Sequence, residues 1–504
     1  LAPFYDANGD TYYDYTAGDY PGYDFELGGT GTFPLQNYPQ ALPGVTCVGK
    51  LFGDQTLWWV FNDKGNIHGE TNAEPIGLEI RAQAFAFSTN DDINNMTFYQ
   101  YQIINRSKFQ LNQCYFGQWV DADLGCYTDD YVGCDVARGL GYCYNADADD
   151  EIACQTKGYG LNPPAVGIDF FQGPLADIGD GKDNDRDCMV DEVGEQIIMS
   201  RFVYYNNNSS SSGEPQTGAE FYGYLKGIWR DGLPMTYGGN GRTGTILCDF
   251  MFPGITDQTY SWGTGGNCQS PESPQPSWTE TTAGNVAADR RLLQSAGPFT
   301  LLPGAVNYIT VGAPWARTAQ GGNLASIPLL QSADDKAQAL FDNCFKVLNG
   351  PDAPNMTFQE LDKEIIITLS NKTTSNNYLE NYSETDPVIV DLTDTLGNII
   401  TSYDKTYEFQ GYQIFQVKDI SVSATDVHNP DKARLTAQCD IKDGVTQLVN
   451  YQFDQTLNAS VPILEVAGED KGIVHSFKIT DDLFAIGNTR LVNHKTYYFM
   501  AIAY

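Results

Sequence analysis

The segment Leu78–Ser88 begins with alternation: Leu78, Ile80, Ala82, Ala84 and Ala86 are apolar, while Glu79, Arg81 and Gln83 between the first of them are polar. A period of two belongs to a strand with one buried and one wetted face, and a helix cannot hold it. Comparable short runs, aromatic or β-branched and bounded by Asn, Asp or Gly, recur at Leu57–Asn62, Met96–Asn105 and Tyr115–Val120. Others follow at Gln196–Tyr205, Thr245–Met251, Phe299–Leu302 and Asn307–Gly312. They predict the strands of an antiparallel sandwich.

Composition agrees. The chain holds 46 Asp against 18 Glu, and Asp favours turns, caps and hard-metal sites over helix interiors. The expected fold class is mainly β: a large loop-rich antiparallel β-sandwich region followed by a fibronectin type III or Ig-like β-sandwich, with few helices. A net charge of −35 argues against a nucleic-acid partner, because phosphate contacts need clustered Lys and Arg. The sequence has no apolar run of about 18 residues, the length of a transmembrane helix. Leu1 follows no signal peptide and Tyr504 stops within an apolar run, so both ends read as processed or cut.

Within residues 1–350, the first 47 residues read as an extended Tyr/Gly/Asp-rich lead-in and 121–195 as a long loop region. One helix is predicted at 332–349, capped by Ser332, with a stripe of Ala337, Leu340, Phe341, Cys344 and Leu348 and a stop at Gly350-Pro351. Residues 351–504 form the second β module, with strands at Glu364–Leu369, Tyr407–Val417, Ala433–Cys439, Ile473–Ile479 and Thr496–Tyr504. Leu491 and Tyr497 have the spacing of the tyrosine corner of fibronectin type III and related sandwiches. The last strand of that sandwich is expected beyond Tyr504 or from a partner by strand addition.

Eleven cysteines are present without a Cys-x-x-Cys or a Cys/His pairing at zinc spacing, so a structural zinc site is not indicated. Cys126, Cys134, Cys143 and Cys154 fall in the Gly/Asp/Tyr-rich loop region, and a local disulfide such as Cys126–Cys134 would rigidify it. Cys248 and Cys268 are further candidates. Low Lys content and an acidic surface favour extracellular disulfides over buried thiols.

The sharpest motif is a repeated oxygen spacing. Asp6, Asn8, Asp10 and Asp14, and again Asp183, Asp185, Asp187 and Asp191, stand at i, i+2, i+4 and i+8. This resembles the start of an EF-hand loop and the Asp-rich repeats of thrombospondin type 3, in which alternate residues converge on one Ca²⁺. Neither copy has the usual Gly after the third ligand or Glu at the twelfth position; Glu192, Glu195 or Asp19 would complete a shell. Between the copies, 121–151 carries nine carboxylates against Arg138 alone, and Asp121, Asp123 and Asp129 are further metal candidates. Calcium is the expected cofactor.

No catalytic motif emerges: there is no His-Glu-x-x-His and no Gly-x-Ser-x-Gly. Gly239-Asn-Gly241-Arg-Thr-Gly244 precedes a strand-like run rather than a helix and reads as a loop. Trp58-Trp59 would serve as sandwich core or as a sugar platform.

Several strings together resemble a family of large secreted surface proteins of Bacteroidota exported through the type IX secretion system. They include Asp54–Asp63, Gly117–Asp123, Asp130–Asp135, Pro164–Phe171, Asp183–Glu192 and Leu491–Phe499. The resemblance implies a signal peptide before Leu1, a sorting domain after Tyr504 and an extracellular, cell-surface location; it carries no catalytic residue. The expected function is a non-enzymatic, calcium-stabilised surface protein acting in adhesion or as a subunit of an extracellular layer or fibre. Self-association or another surface protein would be its partner. The alternative is a secreted carbohydrate-active enzyme or glycan-binding protein.

Overall fold

The computed structural model describes residues 4–21, 51–89, 92–151, 158–257, 276–346, 348–386, 389, 392–393, 399–454 and 459–504. The chain is mainly β, with several antiparallel sheets and three α-helices among the described residues. It divides into two units, Leu1–Phe345 and Lys346–Tyr504, a few residues ahead of the expected boundary at Pro351.

In the first unit the strands of the two larger sheets are β1 (Gln55–Asn62), β2 (Leu78–Ala86), β3 (Thr97–Asn105), β4 (Leu111–Asp121), β5 (Asp130–Asp135), β6 (Leu140–Asn145) and β7 (Ala165–Gln172). After them come β8 (Arg201–Asn206), β9 (Arg290–Leu301), β10 (Val306–Ala313) and the short β11 (Trp315–Ala316). The larger sheet has the order β1-β2-β3-β10-β7-β6-β5 with β11 also on β7; the smaller is β8-β9-β4. Their facing sides share one core, in which Ile103, Val132, Cys143, Phe170 and Ile309 meet Phe202, Leu292 and Phe299. Phe116 of β4 lies 5.5 Å from Tyr101 and 6.0 Å from Phe170 between ring centroids, so the sheets pack face to face. Gly141 of β6 permits the approach: a Cβ there would stand 2.6 Å from Gln294 and 2.7 Å from Phe202.

Helix α1 (Gly218–Leu225) starts at Thr217, whose side chain accepts from the Glu220 amide. Helix α2 (Ser326–Asp342) covers the outer side of the larger sheet. Its Leu330 packs with Leu140, Tyr142, Tyr144 and Ala165, and Phe341 stacks on Phe171 at 6.2 Å. The helix begins a turn and a half before the expected Ser332 and ends before Cys344. Its buried stripe already includes Ser326 and Leu330, and Pro328 is tolerated in a first turn. The Ser326 hydroxyl, donating to the Pro163 carbonyl at 2.7 Å, ties this start to the sheet. At the other end, Cys344 and Phe345 take left-handed φ of 55° and 54° and stop the helix.

Three expectations are corrected here. Residues 121–195 are not one loop, since they contain β5, β6 and β7. All six β6 residues are buried, because α2 covers one face and the second sheet the other, and the polar alternation that marks a half-exposed strand vanishes. Thr245–Met251 is not a strand: it makes only the isolated bridges Thr236↔Leu247 and Phe202↔Phe250. Glu79, Arg81 and Gln83 are not wetted but buried. Glu79 is paired at 3.0 Å with both Arg81 and Arg106, and Gln83 donates to Gln100 at 2.9 Å, which offsets part of the penalty of burying polar groups.

The second unit contains β12 (Asn355–Leu361), β13 (Glu364–Ser370), β14 (Gly411–Val417), β15 (Ala433–Asp440), a hairpin of Gln447–Asp454 and Ala459–Ala467, then β16 (Ser476–Ile479) and β17 (Tyr498–Ala503). Two sheets, β12-β13-β16 and β15-β14-β17, share a core of Ile367, Leu369, Tyr412, Ile414, Leu491 and Ala501. The expected corner is present: the Val492 amide donates to the Tyr497 phenol oxygen at 2.8 Å, next to the buried Leu491. Ile473 precedes its strand, which starts at Ser476.

Candidate metal centre

The loop between β7 and β8 carries the second Asp repeat. Arg186 at its middle turns inward: Nη1 donates to the Val136 carbonyl at 3.1 Å, Nη2 donates to the Met199 carbonyl, and the guanidinium lies 5.1 Å from the Phe250 ring centre. With that residue pinned, its neighbours Asp185 and Asp187 are held at the loop surface. Left-handed φ at Arg186 (65°), Cys188 (77°) and Asp191 (61°) curls the backbone without the glycine that such bends favour. The amides of Cys188, Asp187 and Met189 donate to Asp183, Asp185 and Asp187 at 3.1, 3.3 and 2.8 Å.

The result is a double cage. Ligand oxygens of Asp183, Asp185 and Glu195 all lie within 4.8 Å of one another, as do those of Asp185, Asp187 and Glu192, so Asp185 belongs to both. Both Glu192 oxygens are shielded from solvent and accept no hydrogen bond from the protein. Asp191, expected as a ligand, belongs to neither group; its Oδ1 accepts from the Gly181 amide at 3.1 Å. Glu195 is buried and also accepts from the Asn184 amide.

Electrostatics match the crowding. Burial, then the neighbouring Asp187 carboxylate, push the Asp185 pKa up to about 6. Burial also raises Asp183 and Glu195. Carboxylates that repel one another at this range are relieved by a proton or by a cation. The donors are all hard oxygens, without His or Cys, and suit Ca²⁺ rather than zinc or a softer metal.

The first repeat is arranged differently. Asp6 accepts from the amides of Gly9 and Thr11 at 2.6 and 2.8 Å, Asn8 from Asp10 at 3.1 Å, and Asp10 from Tyr12 at 2.7 Å. Asn8 Nδ2 in turn donates to the Asp10 carboxylate at 2.9 Å. Asp14 caps the turn at Tyr15–Ala17 by accepting from the Thr16 amide, and Asp19 accepts from Ala7 and Asp14. These oxygens serve the loop's own amides and are not among the convergent groups of the described residues.

In the third region, Asp121 and Asp123 converge with Asp289, which was not anticipated because it lies far away in sequence. Arg291 already answers this group, pairing with Asp121 at 2.9 Å and Asp289 at 3.1 Å. Asp129 stands apart; burial first, with Asp150 and Asp147 among its neighbours, raises its pKa.

Another acidic pair escaped the sequence reading. Asp169 of β7 and Asp334 of α2 are both buried. Neither Asp169 oxygen has a hydrogen-bond partner, nor has Asp334 Oδ1. Burial drives both pKa values well above the carboxylate range, and their mutual repulsion contributes to the rise at Asp334. Beside them Arg138 binds Asp135 and Asp335 at 2.8 and 2.7 Å. No local motif announces such a pair, because it forms only when the helix docks on the sheet.

The cysteine expectation is corrected in part. Cys134, Cys143 and Cys248 are free thiols, so the Cys126–Cys134 link is excluded. They fill the inter-sheet core as small apolar groups. Cys126, Cys188 and Cys344 are disulfide-bonded, while Cys154 and Cys268 lie outside the described residues. Trp59 is exposed and Trp58 half-buried, so neither is sandwich core. Compared with known proteins, the chain matches no family model and no curated relative.

Proposed function

We propose that the protein is a non-enzymatic, calcium-stabilised extracellular surface protein that acts in adhesion or as a subunit of an extracellular layer or fibre. The observation that carries the calcium half is the double cage: three carboxylates within 4.8 Å, twice over, with Asp185 shared. Calcium there would neutralise part of the −35 charge and fix a long loop that has little core of its own. Supporting the surface role are the two successive β modules, the lack of a recognisable catalytic motif and the resemblance to type IX-exported surface proteins. The edge position of β17 among the described residues supports assembly by strand addition.

Isothermal titration with CaCl2 tests the reading. The wild-type chain is expected to bind with a Kd no weaker than about 1 mM, the range of extracellular modules. Asp185→Asn and Glu192→Gln should each weaken binding about tenfold or more. Affinity should also fall as pH drops below about 6, because protons then compete for Asp185. Absence of saturable binding, or unchanged binding in both variants, would refute the calcium role. Glycan binding is the second reading, favoured by the exposure of Trp59 and Trp119. It requires a glycan-array signal that disappears in Trp59→Ala or Trp119→Ala.

A further inference from the structure

A groove of about 700 Å³ opens in the first unit, where the β1–β2 and β3–β4 connections meet the N-terminal segment. Phe4, Tyr13, Phe61, Ile76 and Phe109 line it, and its volume is that of a small-molecule site. Phe61 and Phe109 are 44% and 74% exposed, an exposure of aromatic surface that a ligand would relieve.

The walls are braced. The Arg106 amide donates to the Gly77 carbonyl at 2.9 Å, which ties one connection to the other. Asp63 accepts from the amides of Ile76, Gly77 and Leu78 at 2.6, 2.9 and 2.9 Å. Asn105 Nδ2 donates to the Phe109 carbonyl at 2.9 Å. Phe4 packs edge-on against Tyr13 at 5.4 Å.

Charge at the groove runs against the rest of the molecule. On a chain of net charge −35, the lining holds Lys64, Arg106 and Lys108 against Asp63 and Glu79. Both acids are answered: Asp63 by the three backbone amides, Glu79 by Arg81 and Arg106 at 3.0 Å. Lys64 and Lys108 make no ion pair with any described residue, which leaves two ammonium groups beside an apolar trough.

We propose that this groove binds an amphipathic carboxylate, its aliphatic or aromatic body against Phe61, Ile76 and Phe109 and its anionic head between Lys64 and Lys108. Apolar burial supplies affinity and the lysines fix orientation. A neutral or cationic amphiphile lacks the second contact, and a short carboxylate lacks most of the first.

Calorimetry on the full chain, below micelle-forming concentrations, tests this with dodecanoate, hexanoate and dodecyltrimethylammonium as probes. Saturable one-to-one binding of dodecanoate is expected, at least tenfold tighter than of either other probe. The double variant Lys64→Glu/Lys108→Glu should weaken dodecanoate at least tenfold, and so should Phe109→Ser, which changes a side chain already largely in solvent. No saturable binding of dodecanoate, equal affinity for the cationic amphiphile, or unchanged affinity in the lysine variant would overturn the proposal. The comparison of hexanoate with dodecanoate reads the apolar contact on the unaltered protein, so a variant that fails to fold does not shelter it.

Discussion

Asp169 shows what burial does to one side chain. Its carboxyl sits under α2 without a hydrogen-bond partner and burial holds its pKa well above the ordinary 3.8. The folded state therefore keeps a proton that the unfolded state releases. Stability is fully present below about 3.8 and is lost as pH rises toward the raised folded value. Asp169→Asn keeps the shape and removes the titration, so its melting temperature should exceed that of the wild type at pH 8 by about 2 °C or more, with the difference vanishing near pH 4. Thermal scans at the two pH values check this; an equal difference at both would show that the carboxyl is not held protonated. The buried Arg290–Glu280 pair is the contrasting case. The guanidinium bonds both Glu280 oxygens at 2.9 and 2.8 Å and the Val132 amide donates to the same carboxylate at 3.1 Å, so each buried charge has its counterpart.

At the scale of an element, the corner before β17 is the clearest test. Replacing Tyr497 by Phe leaves the Val492 amide without its phenol acceptor at 2.8 Å, a loss of about 1 kcal/mol. Urea unfolding followed by far-UV circular dichroism should register it, since no tryptophan lies in Lys346–Tyr504; an unchanged midpoint would mean that water replaces the bond without cost. The corner was legible from the six-residue spacing of Leu491 and Tyr497, because its partners are close in sequence. Helix α2 was legible as a helix, but its limits were not. Its first turn is anchored by contacts from Ser326 to Pro163 and from Asn323 to Asn145, which a capping rule confined to neighbouring residues cannot include. Strands β5 to β7 were missed for a related reason: buried along most of their length, they lack the alternation of apolar and polar residues that revealed β2.

Over the whole molecule, all seven tryptophans belong to Leu1–Phe345, the unit that also holds the double carboxylate cage. Calcium at a concentration well above its Kd should therefore raise the melting temperature reported by tryptophan fluorescence, and EGTA should return it, by mass-action stabilisation of the bound fold. A hundredfold excess over Kd corresponds to about 2.7 kcal/mol. Identical tryptophan melting curves in calcium and EGTA would remove cation binding from the account of this unit.

The sequence by itself determined the features that depend on neighbours along the chain. These are the mainly-β class, the position of strands such as β2, the tyrosine corner and the Asp183–Asp187 spacing that turns successive carboxylates into one loop. Tertiary structure alone decided which acids meet across the chain. It placed Asp289 with Asp121 and Asp169 under α2, and it left Cys134, Cys143 and Cys248 as core thiols. Local periodicity encodes which face of an element avoids water. Which charged or polar group another element delivers to that face depends on docking between residues tens to hundreds of positions apart, and no short window of sequence contains that information.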